Sequence, residues 1–245
     1  MKPILFNTEM VRAILDGRKT VTRRVVKGTM SEWDLLELVT NPSVVAVKSN
    51  GEEYPKELKG LYADFYVDGY PEYPVIRAPY QPGDILYVRE TWRPLEAWNG
   101  SCTGCRIEYK AGGTKEFDKI IAVPETKTLW RPSIHMPKEA ARIFLRVTDV
   151  RVERLHWITP VDVVNEGLYE DCRVCLDTYS SSGRQCRYRA EDECHICDSV
   201  ITTFVDFWNS TVKPADINRY GWNANPWVWV IEFERIEEAG KNNDT

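Results

Sequence analysis

No apolar run in the 245 residues approaches the roughly 18 that a membrane-crossing helix needs, which argues against such a helix. The first residues also lack the apolar core of a secretory leader, so the expected location is cytoplasmic. There is no excess of positive charge: 32 Lys and Arg stand against 37 Asp and Glu, a formal net charge of −5. That balance argues against a protein that coats nucleic acid with its whole surface, and it leaves room for a local nucleotide site. In a reducing compartment the seven cysteines are expected as thiols or metal ligands rather than disulfides. What remains is an ordinary globular composition, 43% hydrophobic and 28% charged, with nine Trp and fourteen Pro. Those last two numbers favour strands and rigid loops over a helical bundle. The length suits one large domain, or one domain with insertions, with enough chain to bury a core.

The most informative stretch runs from Val11 to Arg24. Asn7 or Thr8 can cap a short helix, and Glu9 sits favourably in its first turn. Met10, Ile14 and Leu15 make an apolar stripe at helical spacing. Gly17 suits the left-handed position that ends a helix. Arg18, Lys19, Thr20, Val21, Thr22, Arg23 and Arg24 then form a β-prone run of hydroxyls and cations. Six Lys or Arg lie between Val11 and Lys27 against one Asp, a local attraction for anions in an acidic chain.

Elsewhere the pattern alternates between strands and loops. Lys2–Phe6 reads as an edge strand with Pro3 near its start. Trp33, Leu35, Leu36 and Leu38 read as a helical turn or two, and Val44–Lys48 as a strand. The region of about 28–80, rich in tyrosine and proline, reads as a surface insertion. A turn at Gln81–Asp84 leads into the strand Ile85–Val88, with Arg89, Glu90 and Trp92 at its end. A cation, a carboxylate and a ring in that place can hold a nucleobase; the alternative is a structural Arg–Glu pair and a core Trp. Trp130–Pro137 is a rigid loop that can carry Arg131, Ser133 and His135 to a pocket. His135 supplies an imidazole suited to proton transfer, although a lone histidine is more often a structural hydrogen-bonder. Arg142–Asp149 and Arg151–Leu155 read as β structure. Thr159, Pro160 and Asp162 mark a helix start, and that helix runs to Glu166 with Gly167 after it. Glu166 thus stands where the helix dipole disfavours a negative charge and favours the protonated acid. Val200–Trp208 reads as a helix and Asn218–Trp222 as a loop. Trp227–Ile236 is the last strand, with Trp227, Trp229, Ile231 and Phe233 on one face. Residues 237–245 form a polar tail that is expected to be disordered.

Two CxxC pairs, Cys172 with Cys175 and Cys194 with Cys197, are separated by eighteen residues. That is the spacing of a four-thiolate structural zinc site. The segment of about 169–198 has few large apolar residues, so it needs such a staple to fold. Cys186 or His195 can replace one ligand, and Cys102 with Cys105 form a third pair. Redox sensing is the competing use of these thiols.

The order Gly17, Arg18, Lys19, Thr20, any residue, Thr22, any residue, Arg24 resembles the signature of the ASCH domain family. Three later stretches agree in order: Gly83–Trp92, Trp130–Pro137 and Asn225–Phe233. The similarity runs from about Met1 to Ile236 and is greatest to the larger ASCH proteins of bacteriophages and prophages. It implies an α+β fold built on a PUA-like β-barrel with flanking short helices, a single domain over 1–236 with insertions at about 28–80 and 169–198. Some small ASCH proteins remove the acyl group from N4-acetylcytidine. The resemblance then implies Lys19, Thr22 and Glu166 as the catalytic set, and a nucleoside or RNA as the partner of a monomeric chain. Arg18, Arg23, Arg89, Glu90, Trp92, Arg131, Ser133 and His135 are the candidate substrate contacts. Thr22 would be the nucleophile, Lys19 its base, with Arg18, Arg23 and burial depressing the Lys19 pKa, and Glu166 the acid for the leaving amine. A regular strand sets Lys19 and Thr22 on opposite faces, so a turn or bulge after Gly17 is required. A binding module without chemistry, and less so a ribonuclease, are the alternatives. No organic cofactor is expected, and the only expected metal is structural zinc. Metal analysis of purified, chelator-free protein is expected to find about one zinc per chain; clearly substoichiometric zinc overturns the site.

Overall fold

The computed structural model describes residues 1–29, 32–69, 74–95, 101–102, 106–116, 121–122, 129–168 and 195–237. In chain order the strands are β1 (Lys2–Leu5), β2 (Val21–Val25), β3 (Asp34–Thr40), β4 (Ser43–Val47), β5 (Glu53–Glu57), β6 (Leu61–Tyr66), β7 (Val75–Arg77) and β8 (Ile85–Arg89). They continue as β9 (Trp92–Pro94), β10 (Ser101–Cys102), β11 (Arg106–Tyr109), β12 (Thr114–Glu116), β13 (Ile121–Ala122), β14 (Phe144–Arg154) and β15 (Trp227–Ile236). The α-helices are α1 (Thr8–Leu15), α2 (Pro160–Asn165), α3 (His195–Thr211) and α4 (Ile217–Tyr220). None of the described helices is long and apolar enough to cross a membrane.

Five strands form the main sheet in the order β1-β8-β14-β15-β2. Only β1 and β8 run parallel; the other pairings are antiparallel. The expected class, mixed α+β with mostly sheet and short helices, is the class observed. A closed barrel is not what the hydrogen bonds draw: the described ladder begins at β1 and ends at β2. Side chains cross that seam instead. Arg24 on β2 donates through Nη2 to the Leu5 carbonyl on β1 at 3.0 Å.

The aromatic alternation of the last strand is explained by where β15 sits. Trp227, Trp229, Ile231 and Phe233 point into the main core. Val228 and Val230 are equally buried on the other face, against Val163 of α2 and Val200, Phe204 and Trp208 of α3. A strand covered on both sides needs apolar residues at nearly every position. The two expected stretches, Arg142–Asp149 and Arg151–Leu155, merge into one continuous strand, β14 (Phe144–Arg154), with a register shift between Val147 and Asp149. Such a bulge increases local twist and lets a long strand curve around a core.

Three expectations fail for identifiable reasons. Trp33–Leu38 is not helical: most of it lies in β3, which pairs antiparallel with β6. A register shift between Leu35 and Glu37 puts Leu36 out to solvent, 50% exposed. The bulge breaks the alternation of two and leaves spacings that mimic a helix. Nor is the region 28–80 wholly peripheral, because Ala63 and Phe65 of β6 are fully buried in the main core. Phe65 packs edge-on to Trp227 with ring centroids 5.8 Å apart. The loop expected at Asn218–Trp222 is mostly helical, with α4 followed by a 3-10 turn at Trp222–Ala224. The tail from residue 238 onward lies outside the described residues.

The two short helices that flank the site are capped as their sequences suggest. Asn7 accepts from the Met10 amide at 2.8 Å, and Met10, Val11, Ala13 and Ile14 are buried. Thr159 and Asp162 form a reciprocal capping box at the start of α2, with Pro160 in its first turn. Each helix is followed by a glycine with positive φ, Gly17 at +77° and Gly167 at +81°. Their surroundings differ. A Cβ on Gly17 meets nothing within 4 Å, whereas one on Gly167 falls 2.6 Å from Ala13 Cβ and 2.9 Å from Lys19 Cβ. Gly17→Ala is expected to lower stability by about 1–2 kcal/mol through backbone conformation alone. Gly167→Ala should cost about 1–3 kcal/mol more through overpacking. Urea midpoints of the two variants decide this, and equal losses refute the close-packing explanation.

Candidate active site

Lys19 reaches its position because α1 ends sharply. The amides of Arg18 and Lys19 both donate to the Ala13 carbonyl, at 2.9 and 3.0 Å. The Thr20 amide then donates to the Asn165 carbonyl at 2.9 Å, and the Thr20 carbonyl accepts from Phe233 at 2.9 Å. The end of α1, the end of α2 and the last strand are thereby tied at one point. Lys19 precedes β2 rather than lying in it, so strand alternation does not fix its direction. This is the turn after Gly17 that lets Lys19 and Thr22 face the same space.

That space is a cavity of about 40 Å³, lined by Lys19, Thr22, Arg23, Arg24 and Glu166 on its polar side. Phe6, Met10 and residues of α3, among them Phe204, Phe207 and Trp208, close it. Lys19, Thr22, Arg23 and Glu166 are 2–3% exposed. The Lys19 ammonium donates to Glu166 Oε2 at 2.7 Å, to the Val21 carbonyl at 2.7 Å and to the Glu166 carbonyl at 2.9 Å. It also lies 5.4 Å from the centre of the Phe6 ring. Burial pushes the Lys19 pKa below its usual 10.5; Glu166 opposes that shift, and Arg24 and Arg23 add to it.

Glu166 closes α2 from its C-terminal end, as its place in the sequence suggests. It is not left alone with the helix dipole, since Lys19 and Arg23 both face its carboxylate. Arg23 is the hub of an acidic ring. Its Nη1 is 3.4 Å from Glu166 Oε1, and its Nη2 is 3.4 Å from Asp162 Oδ2 and 3.6 Å from Glu153 Oε2. Nη2 has no directed hydrogen bond among the described residues, so charge rather than geometry holds it there.

The other expected contacts lie off this cavity. Arg18 pairs with Asp16 and donates to the Gly167 carbonyl, so the cations that depress Lys19 are Arg24 and Arg23 instead. Glu90 is buried in a two-point pair with Arg142, at 2.9 and 2.8 Å. Burial raises the Glu90 pKa, and Arg142, which also stacks 3.9 Å from the Tyr109 ring centre, opposes the rise. Trp92 is a core residue of a separate cluster with Tyr87, Ile107, Tyr109 and Met136. Arg131 covers the Trp92 ring at 5.2 Å, and Arg89 donates to the Ile134 carbonyl. Ser133 and His135 form a 3-10 turn, with His135 exposed. Glu90 and Trp92 are thus engaged by Arg142 and by an aromatic cluster, away from the cavity at Lys19. Cys172, Cys175 and Cys194 lie outside the described residues, as does the side chain of Cys197.

Sequence reasoning missed Phe6, Arg24 and the α3 residues as cavity walls. Arg24 was visible in the cationic run. Phe6 and α3 carry no local signal, because only the tertiary fold brings them over Lys19. Compared with protein-family models, curated proteins and solved structures, the chain finds no match. The acidic ring makes a direct prediction. Arg23→Leu leaves Glu153, Asp162 and Glu166 facing one another and should cost about 3–5 kcal/mol in denaturant unfolding. The loss should shrink in acid, where the carboxylates lose charge; a near-neutral substitution at pH 7 refutes the hub.

Proposed function

We propose that the chain is an ASCH-type, cytoplasmic amidohydrolase that removes the acyl group from an N4-acylcytosine nucleoside or a related amide. The supporting observation is the 2.7 Å contact between Lys19 Nζ and Glu166 Oε2 inside a cavity that Thr22 also lines. A buried ion pair is expensive to desolvate, so moving one proton from Lys19 to Glu166 yields a neutral amine and a neutral acid at small cost. With the proton on Glu166, the Lys19 lone pair takes the Thr22 hydroxyl proton as Thr22 Oγ attacks the acyl carbonyl. Glu166 gives its proton to the departing N4 amine, leaving an ester on Thr22. Glu166, now a carboxylate, takes a proton from water as that water attacks the ester, and Lys19 returns its proton to Thr22 Oγ. The cycle ends with the pair as it began, with one carboxylic acid and one amine released.

A cavity of about 40 Å³ holds a few heavy atoms, the size of an acetyl amide and too little for a whole nucleobase. The base must therefore sit outside the chamber. The same smallness favours the second reading, a nucleotide-binding module whose inner polar cluster is structural. Chromatographic assay of an N4-acylcytidine panel separates the two. Wild type should release cytidine, and Thr22→Ala and Glu166→Gln should each lose about 10²-fold or more of kcat. The pH profile should be bell-shaped, because the pair works with one shared proton, and its alkaline limb should fall below the 10.5 of an ordinary lysine. No release from any member, with nucleoside still bound in a Lys19-dependent way, moves the assignment to the binding module.

A further inference from the structure

The chamber has a larger neighbour. A second cavity of about 370 Å³ shares Arg23, Arg24, Trp208 and Thr211 with the first, so the two lie on either side of the same side chains. Its outer wall adds Lys27 just beyond β2, Lys213 just beyond α3, and Tyr220 of α4. Asp216 is its one described carboxylate. The charges differ in how they are spent. Arg23 is surrounded by three carboxylates. Among the described residues Arg24 donates to the carbonyls of Arg23 and Leu5 and forms no ion pair, although the Glu166 carboxylate acts on its charge from farther off. Lys27 and Lys213 are exposed and have no described carboxylate partner. Three cations with no ion pair among the described residues thus line one cavity in a chain of net charge −5.

We propose that this outer compartment is a phosphate subsite, so that the substrate is a phosphorylated N-acylcytosine nucleotide rather than a free nucleoside. The inner chamber takes the acyl amide, the outer-cavity wall that Trp208 and Tyr220 line takes the base, and Lys27 with Lys213 takes the phosphate. A cavity of about 370 Å³ is near the lower end of small-molecule sites and suits one nucleotide better than a polymer. Two surface ammonium groups serve as mobile point charges for a phosphate, where a fixed fork is not required. The proposal rests on the hydrolase reading for the identity of the amide, and not for the anion.

The test compares N4-acetylcytidine with its 5′-monophosphate as substrates. Wild type should favour the phosphate ester by about tenfold or more in kcat/KM, the scale of one charge-assisted hydrogen bond. The double variant Lys27→Ala, Lys213→Ala should bring that ratio close to one, and Lys27→Arg with Lys213→Arg should keep it. A wild-type ratio near one, with hydrolysis intact, overturns the subsite and leaves the hydrolase standing. Calorimetry with cytidine 5′-monophosphate against cytidine gives the independent reading. Phosphate-dependent binding lost in the double alanine variant supports the subsite even if neither compound is hydrolysed; neither binding nor hydrolysis overturns both. A short oligoribonucleotide with an internal N4-acetylcytidine identifies the source of the phosphate. A preference for it over the monophosphate overturns the mononucleotide assignment.

Discussion

The buried contact between Lys19 and Glu166 is the constraint around which the surrounding structure closes. Two opposite charges removed from water cost several kcal/mol each before their attraction and hydrogen bonds are counted. The fold offsets that cost with specific partners. Two backbone carbonyls complete the lysine's acceptors, and Arg23 covers the far side of the carboxylate. Arg23 in turn brings Asp162 and Glu153 into the arrangement. These residues sit at element boundaries, on strands or in the first turn of α2, so their mutual demands fix how α1, α2, β2 and β14 meet. Gly167 records the tightness of that meeting, since nothing larger than hydrogen fits between Ala13 and Lys19.

Much of this was readable along the chain because it is local. The caps at Asn7 and Thr159, the glycine that ends each short helix and the aromatic alternation of β15 are properties of adjacent residues. What could not be read was non-local or irregular. The bulge at Leu36 disguised a strand as a helix, because one extra residue converts a spacing of two into a spacing of three. The region around Phe65 looked dispensable until it was seen to touch Trp227, which lies far along the sequence.

The site divides in the same way. Lys19, Thr22 and Glu166 came from the pattern of one motif and one helix end, and the fold brings them to one small space. Glu90 and Trp92 also had the right chemical types for a binding site. Arg142 and an aromatic cluster already occupy them, and those partners have no signature near residue 90. A buried carboxylate is therefore informative only together with what faces it. Glu90 meets a single cation on a packed wall, whereas Glu166 meets two beside a cavity.

The main sheet ends at β1 and β2, and across that gap the contacts are made by side chains. Arg24 reaches the Leu5 carbonyl, and Arg24 and Lys19 rest against the ring of Phe6. Among the described residues, spreading the gap breaks one guanidinium–carbonyl bond and separates two cations and the Phe233 ring from Phe6, while both neighbouring ladders stay whole. The wall of the cavity is thus mechanically softer than the sheet it belongs to. Opening that gap and unfolding the sheet draw on different bonds, so exchanging a few side chains at the gap alters the first without touching the ladders that hold the second.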